Sequence, residues 1–130
     1  MVRLDHVALW TDDIERLASF YARYFGAKIG ESYLNAEKSF ESRFVTFESG
    51  ARLEIMRTTS MRPVPHAPGA QRMGLTHLAL SPGSVELVDA LTNRLREAGY
   101  PVIDGPRRTG DGYYESVVLD PDGNRVEITA

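Results

Sequence analysis

The chain has 130 residues, 42% of them hydrophobic, which suits one domain with a substantial core and is too short for two conventional domains. The formal net charge is −3 and the basic residues form no block, so nucleic acid is not an expected partner. The absence of cysteine excludes disulfides, thiolate metal sites and a cysteine nucleophile. Neither a secretory leader nor a membrane-spanning apolar run is indicated, so we expect a cytoplasmic protein with no membrane partner.

The first half of the chain predicts one helix between strands. An apolar run, 4–10, has strand length and carries His6 in its third position. Apolar residues then recur at helical spacing from Ile14 to Phe25, preceded by cap candidates at 11–13 and closed by Gly26. Three further strand candidates follow, at 27–34, 42–48 and 52–57.

The second half repeats this order. A run at 75–81 again carries a histidine, His77, in its third position, and a helical pattern at 85–98 follows with Ser84 as its cap candidate. Strand candidates lie at 102–107, 113–119 and 125–129. The repeat predicts an α+β protein of two tandem βαβββ modules, module one at 1–58 and module two at 74–130. Prolines and glycine make 59–73 the linker, and the two modules form a single domain, with a curved mixed sheet around a cavity and the helices outside.

Strand alternation places four polar residues on the face opposite the helices. Apolar neighbours on each side are predicted to pack against the helices, which turns the polar residues the other way. They occupy matching positions in the first and last strands of the two modules: His6, Glu54, His77 and Glu127.

Two imidazoles and two carboxylates together suit one divalent metal per chain, with zinc or nickel preferred and cobalt, manganese or iron as alternatives. A lone histidine or glutamate on a strand is more often structural, but two matched pairs favour a metal site. His66 lies in the linker without an equivalent in the other module, so it is left out of the ligand set.

The chain resembles the vicinal oxygen chelate superfamily, which includes glyoxalases, bleomycin-resistance proteins and extradiol dioxygenases. The resemblance covers essentially the whole chain. It rests on Leu-Asp-His-Val-Ala-Leu at 4–9, Leu-Glu-Ile at 53–55, Gly-Leu-Thr-His-Leu-Ala-Leu at 74–80 and Asp-Pro-Asp-Gly-Asn-Arg-Val-Glu-Ile at 120–128.

The resemblance to glyoxalase I implies a metal-dependent lyase or isomerase acting on a small oxygen-chelating substrate through an enediolate-type intermediate. It implies that Glu127 and Glu54 are the acid and base as well as ligands, and that the protein is a homodimer. Many bacterial glyoxalase I enzymes have a basic residue that recognises glutathione at the position of Trp10. They also have an Asn that contributes to glutathione binding near the position of Thr58. Because this chain has neither residue, the resemblance does not extend to glutathione as the substrate. Trp10 and Met56 are instead the candidate walls of the substrate pocket, and a core tryptophan at the end of the strand is the alternative interpretation of Trp10.

Two alternatives belong to the same superfamily. One is a binding protein that sequesters an antibiotic in apolar grooves, with candidate lining residues Phe40, Phe44, Phe47, Tyr113 and Tyr114. The other is metal-dependent thiol transfer to an epoxide antibiotic. The metal ligands expected for that reaction are two His and one Glu, so the additional carboxylate of Glu54 counts against it.

Overall fold

Each half of the chain forms a strand, a helix and several further strands in the computed structural model, which describes residues 1–65 and 67–130. The chain divides into two units, Met1–Pro65 and His66–Ala130, called module one and module two below. This division falls inside the predicted linker, and the single-domain organisation stays a prediction. The position left out of the ligand set, residue 66, lies outside the described residues.

Module one pairs its first strand with its last. The elements are β1 (His6–Trp10), α1 (Ile14–Phe25), β2 (Lys28–Ile29), β3 (Tyr33–Asn35), β4 (Phe40–Thr46) and β5 (Arg52–Thr58). The strand order is β1-β5-β4-β2, with β1 parallel to β5 and β3 paired with β4. Helix α1 begins after Asp13, whose side chain accepts a hydrogen bond from the backbone N of Arg16 at 3.0 Å.

The strand predicted at 27–34 is two short strands, because the pairing with β4 shifts between them. Ile29 pairs with Val45, whereas Tyr33 pairs with Ser42, which is a shift of one position. At the shift, the backbone N of Gly30 donates to the carbonyl oxygen of Phe44 at 2.8 Å, and a Cβ at this glycine would lie 3.1 Å from the same oxygen. A side chain at residue 30 would therefore be in tight contact with the β4 backbone, which favours glycine at this position.

Module two has the same plan with three strands after its helix. Its elements are β6 (His77–Leu80), α2 (Val85–Glu97), β7 (Val102–Arg108), β8 (Tyr114–Leu119) and β9 (Arg125–Thr129), in the order β6-β9-β8-β7. The predicted cap Ser84 accepts from the backbone N of Leu87 at 3.3 Å. The described residues between β5 and β6 contain neither a helix nor a strand, as the linker prolines predict.

The apolar positions of the strands form the cores, as the alternation predicts. In module one, Leu53 and Ile55 are buried on β5, and in module two, Val126 and Ile128 are fully buried on β9. The glutamate between each pair is only partly buried. The α+β class and the tandem βαβββ modules are therefore confirmed. Within the described parts of the chain, neither helix has the length and apolar character that a membrane span requires.

Candidate metal centre

In module one, the predicted site residues lie side by side on two neighbouring parallel strands. Strand β1 pairs with β5 so that Ala8 lies opposite Glu54 and Trp10 opposite Met56, while His6 lies two positions earlier on β1. Partners in a parallel pair point to the same side of the sheet, which here is the side away from α1. One imidazole, one carboxylate and three apolar side chains therefore share one face.

In module two, the same arrangement recurs with the same register. Ala79 lies opposite Glu127, and His77 lies two positions earlier on β6. Nε2 of His77 is 3.3 Å from Oε2 of Glu127, whose side chain is 18% exposed. The structure brings this imidazole and this carboxylate together although they are far apart in the chain.

The donor pair in module two has the spacing that one cation requires. Two donors bound at about 2.1 Å from one ion, with an angle of roughly 90 to 110° between them, lie about 3.0 to 3.4 Å apart. The observed 3.3 Å falls in this range. Among residues 1–65 and 67–130, no group of three or more His, Asp or Glu side chains is already arranged around a common point. The pair in module two is therefore spaced as two donors to one divalent ion would be, and in module one the matching imidazole and carboxylate share one face of the sheet.

The two histidines have different neighbours at Nδ1. Oδ2 of Asp5 lies 2.8 Å from Nδ1 of His6 and also accepts from Nη2 of Arg52 at 2.6 Å. The hydrogen bond from His6, and after it the one from Arg52, hold the pKa of the Asp5 carboxyl below its ordinary value. In module two, Oγ1 of Thr76 lies 3.0 Å from Nδ1 of His77.

A further acidic residue, Glu115, lies beside the Glu127 carboxylate and was missed by the sequence reasoning. It is on β8, two positions from Val117, which is the cross-strand partner of Glu127. Burial raises the pKa of Glu115, and so do its hydrogen bond with Glu127 and the repulsion between the two carboxylates. Strand alternation along β8 would have placed Glu115 on the face of Glu127, but only the strand pairing shows which strand neighbours β9.

The predicted pocket walls contact other aromatic side chains in module one. The rings of Trp10 and Phe40 are perpendicular with centroids 6.2 Å apart, and Phe40 makes a similar contact with Tyr33 at 6.2 Å. Trp10 is 45% exposed, so it is not a core tryptophan within the described parts of the chain. Met56 lies opposite Trp10 in the strand pairing. Their role as substrate walls stays a prediction.

Sequence comparison gives one family and one similar curated protein. The family model described as Glyoxalase/Bleomycin resistance protein/Dioxygenase superfamily matches residues 3–128. The protein YqjT of Bacillus subtilis (strain 168), described as uncharacterized, is 27% identical over 133 residues, which cover 98% of each chain. The match therefore extends over both modules.

Solved structures with the same fold include enzymes and proteins of unassigned activity. The trypanothione-dependent glyoxalase I of Leishmania major superposes with a TM-score of 0.77 at 20% identity, covering 98% of this chain and 86% of that one. A glyoxylase/bleomycin resistance protein/dioxygenase domain from Frankia sp. EAN1pec has a TM-score of 0.81 at 18% identity, covering 99% and 97%. At these identities the likeness shows the fold.

Proposed function

Because the chain belongs to the Glyoxalase/Bleomycin resistance protein/Dioxygenase superfamily, we propose that it is a divalent-metal-dependent lyase or isomerase of the glyoxalase I type. The observation that carries the proposal is the repeated register of the two modules. In both, a histidine on the first strand lies two positions before the alanine that pairs with a glutamate on the last strand. The chain therefore carries two equivalent pairs of donors, and four donors on an octahedral ion would leave two positions open for a substrate.

The proposed ligands are His6 and Glu54 from module one and His77 and Glu127 from module two, with one ion per chain. Nitrogen and oxygen donors without thiolate suit zinc or nickel, with cobalt, manganese or iron as alternatives. The bound ion would supply Lewis-acid chemistry, polarising two neighbouring oxygens of a small substrate and acidifying the adjacent C–H.

The chain's own residues would bind the substrate and move the proton. Glu127 and Glu54 are the proposed acid and base, because a carboxylate beside the bound ion would be held ionised and oriented to take a proton from the adjacent carbon. Trp10 and Met56 would form an apolar wall that limits the access of water. Because Trp10 is neutral, we do not propose a specific glutathione contact at that position.

Metal analysis of the purified full-length protein tests the proposal. About one divalent ion per chain is expected, and His77→Ala should lose most of it. His66→Ala is the matched control, since this third histidine is not among the proposed ligands, and it should keep wild-type metal content. Native metal content in His77→Ala would refute the proposed metal site. If the metal-loaded protein does not turn over hemithioacetals of methylglyoxal, these compounds are excluded as its substrate class.

A homodimer and a cytoplasmic location belong to the same proposal, with no nucleic acid or membrane as partner. The support for a dimer is that in each module exposed apolar side chains precede the first strand, such as Leu4 in module one and Leu75 in module two. Such surfaces are covered by a symmetric partner in many small proteins. A monomer by light scattering at micromolar concentration would contradict the dimer.

The aromatic face of module one supports a second candidate, a metal-free binder of a flat apolar molecule. Trp10, Phe40 and Tyr33 form a chain of ring contacts, and Trp10 and Tyr33 are more than one-third exposed. Binding of an aromatic ligand that quenches the single tryptophan equally in the presence and absence of EDTA would favour this candidate. Quenching that requires the metal would favour the enzyme.

A further inference from the structure

Four side chains form a closed ring of contacts around the histidine of module one. Oδ2 of Asp5 lies 2.8 Å from Nδ1 of His6 and 2.6 Å from Nη2 of Arg52. The guanidinium carbon of Arg52 lies 4.2 Å from the centroid of the Phe44 ring. The ring of His6 is perpendicular to the same phenyl ring with centroids 5.5 Å apart. Each of the four side chains therefore contacts two of the others.

This ring of contacts determines which nitrogen of His6 carries the proton. An ionised carboxylate only accepts hydrogen bonds, so the short contact with Asp5 requires a hydrogen on Nδ1. A neutral imidazole with Nδ1–H has its lone pair on Nε2, and a metal ligand needs a nitrogen with a free lone pair. Arg52 keeps Asp5 in place twice, through its side chain and through its backbone N, which donates to the carbonyl oxygen of Asp5 at 3.0 Å.

Among residues 67–130, the side chains around the histidine of module two are arranged differently. Thr76 takes the position of Asp5, and its neutral hydroxyl can either donate to Nδ1 of His77 or accept from it. Arg125 takes the position of Arg52, but its Nη1 donates to the carbonyl oxygen of Gly69 at 2.5 Å. The two modules therefore share the histidine but differ in the side chain that contacts its Nδ1.

We propose that Asp5, held by Arg52, is a positioning residue that fixes His6 in the Nδ1–H form and makes it the stronger of the two imidazole donors. A charge-assisted hydrogen bond is roughly twice as strong as a neutral one, and it raises the basicity of the opposite ring nitrogen. The comparison of donor strengths rests on the proposed metal site. The tautomer of His6 does not, because Asp5 sets it in the metal-free chain.

The tautomer is measured on the metal-free, ¹⁵N-labelled full chain by long-range ¹H–¹⁵N correlation at a pH of about 8.5, where imidazole is neutral. The chain has three histidines, so single His→Gln variants assign the signals. His6 is expected in the Nδ1–H form, and Asp5→Ala should shift it to the Nε2–H form that a free side chain prefers in water. Asp5→Asn retains an accepting oxygen and should keep most of the Nδ1–H form.

The donor strength is measured as zinc affinity by competition with a chromophoric chelator. Asp5→Ala should weaken zinc binding by about 10- to 100-fold, as removal of such outer partners typically does. Asp5→Asn should weaken it less, and Arg52→Met should also weaken it. Thr76→Ala is the matched control at the equivalent position of module two, and its loss should be smaller than that of Asp5→Ala.

The two measurements separate the positioning role from the proposed function. A wild-type chain that binds neither zinc nor nickel refutes the metal site, while the NMR result still decides whether Asp5 fixes the tautomer. An Nδ1–H form that persists in Asp5→Ala overturns the positioning role. In a chain that binds zinc, an unchanged affinity in Asp5→Ala, or an equal loss in Thr76→Ala, overturns the unequal donor strengths.

Discussion

Nε2 of His77 lies 3.3 Å from Oε2 of Glu127. The two residues belong to β6 and β9, which pair in parallel, so the backbone register rather than a loop sets this distance. Core side chains on both sides of Glu127 fix its strand, because Val126 and Ile128 are fully buried. The carboxylate can therefore be changed with little displacement of the imidazole.

The first prediction concerns catalysis by Glu127. Glu127→Gln keeps a neutral oxygen ligand but removes the proton acceptor, so turnover of the true substrate should fall about 100-fold or more while some metal is retained. Glu54→Gln should lower turnover less if the two carboxylates have unequal roles. The measurements are kcat and metal content of the same preparations. If both variants keep near-full activity, the acid-base role of these carboxylates is wrong.

The second prediction concerns the pH dependence that Glu115 gives to stability. Burial and the neighbouring Glu127 raise the pKa of Glu115 above its ordinary value of 4.5. A carboxyl with a raised pKa in the folded state favours folding when protonated, and this contribution is lost as the pH rises through the folded pKa. Glu115→Gln resembles the protonated form at every pH. The thermal midpoint of this variant should therefore rise relative to wild type as the pH increases above about 4.5.

Metal-free protein in EDTA is the appropriate sample, because a bound cation would change the charge beside Glu115. Glu97→Gln, on the exposed side of α2, is the control, and its midpoint relative to wild type should change little over the same pH range. A Glu115→Gln difference that is independent of pH, or that falls with rising pH, contradicts the prediction.

The third prediction concerns a buried hydroxyl pair between α2 and β8. The hydroxyl of Thr92 donates to the carbonyl oxygen of Val88 at 2.6 Å, so the hydroxyl of Ser116, also at 2.6 Å, must donate to Thr92. Both residues are almost fully buried. Thr92→Val leaves Ser116 without its acceptor and should destabilise the fold by about 1–3 kcal/mol.

Denaturant unfolding of the two single variants and the double variant measures this coupling. Adding Ser116→Ala to Thr92→Val should recover part of the loss, because both polar partners are then absent. Thr92→Ser keeps the hydroxyl and is the control for the hydrogen bond. Strictly additive losses in the double variant would show that the two hydroxyls are not coupled.

The fourth prediction concerns Gly105, where β7 passes close to β8. Its φ is 72°, and a Cβ there would lie 2.5 Å from the carbonyl oxygen of Glu115. Gly105→Ala therefore combines a disfavoured backbone conformation with a clash against backbone, and a loss of about 2 kcal/mol or more is expected. Gly110→Ala is the control, since its added Cβ would meet nothing within 4 Å. Equal denaturant midpoints for the two variants would refute the explanation.

The sequence alone determined the order of the main elements and the helix-facing side of the first and last strands of each module. Hydrophobic period is a local property, so the pattern from Ile14 to Phe25 predicts α1 with its observed bounds, and Leu53 and Ile55 are buried as predicted. The helix cap at Ser84 was also predictable, because it is a contact between residues three positions apart in the chain. The internal repeat identified the four proposed ligands by position, because equivalent residues of a repeat occupy equivalent places.

Only the tertiary structure decided which side chains neighbour these four. Strand pairing joins residues that are distant in the chain, so it alone shows that Glu115 contacts Glu127 and that Arg52 reaches Asp5. The one-position shift at Gly30 likewise depends on contact with β4 and has no local signal. Two modules with the same local pattern therefore hold their histidines differently, because the hydrogen bonds at Nδ1 come from residues that the repeat does not preserve.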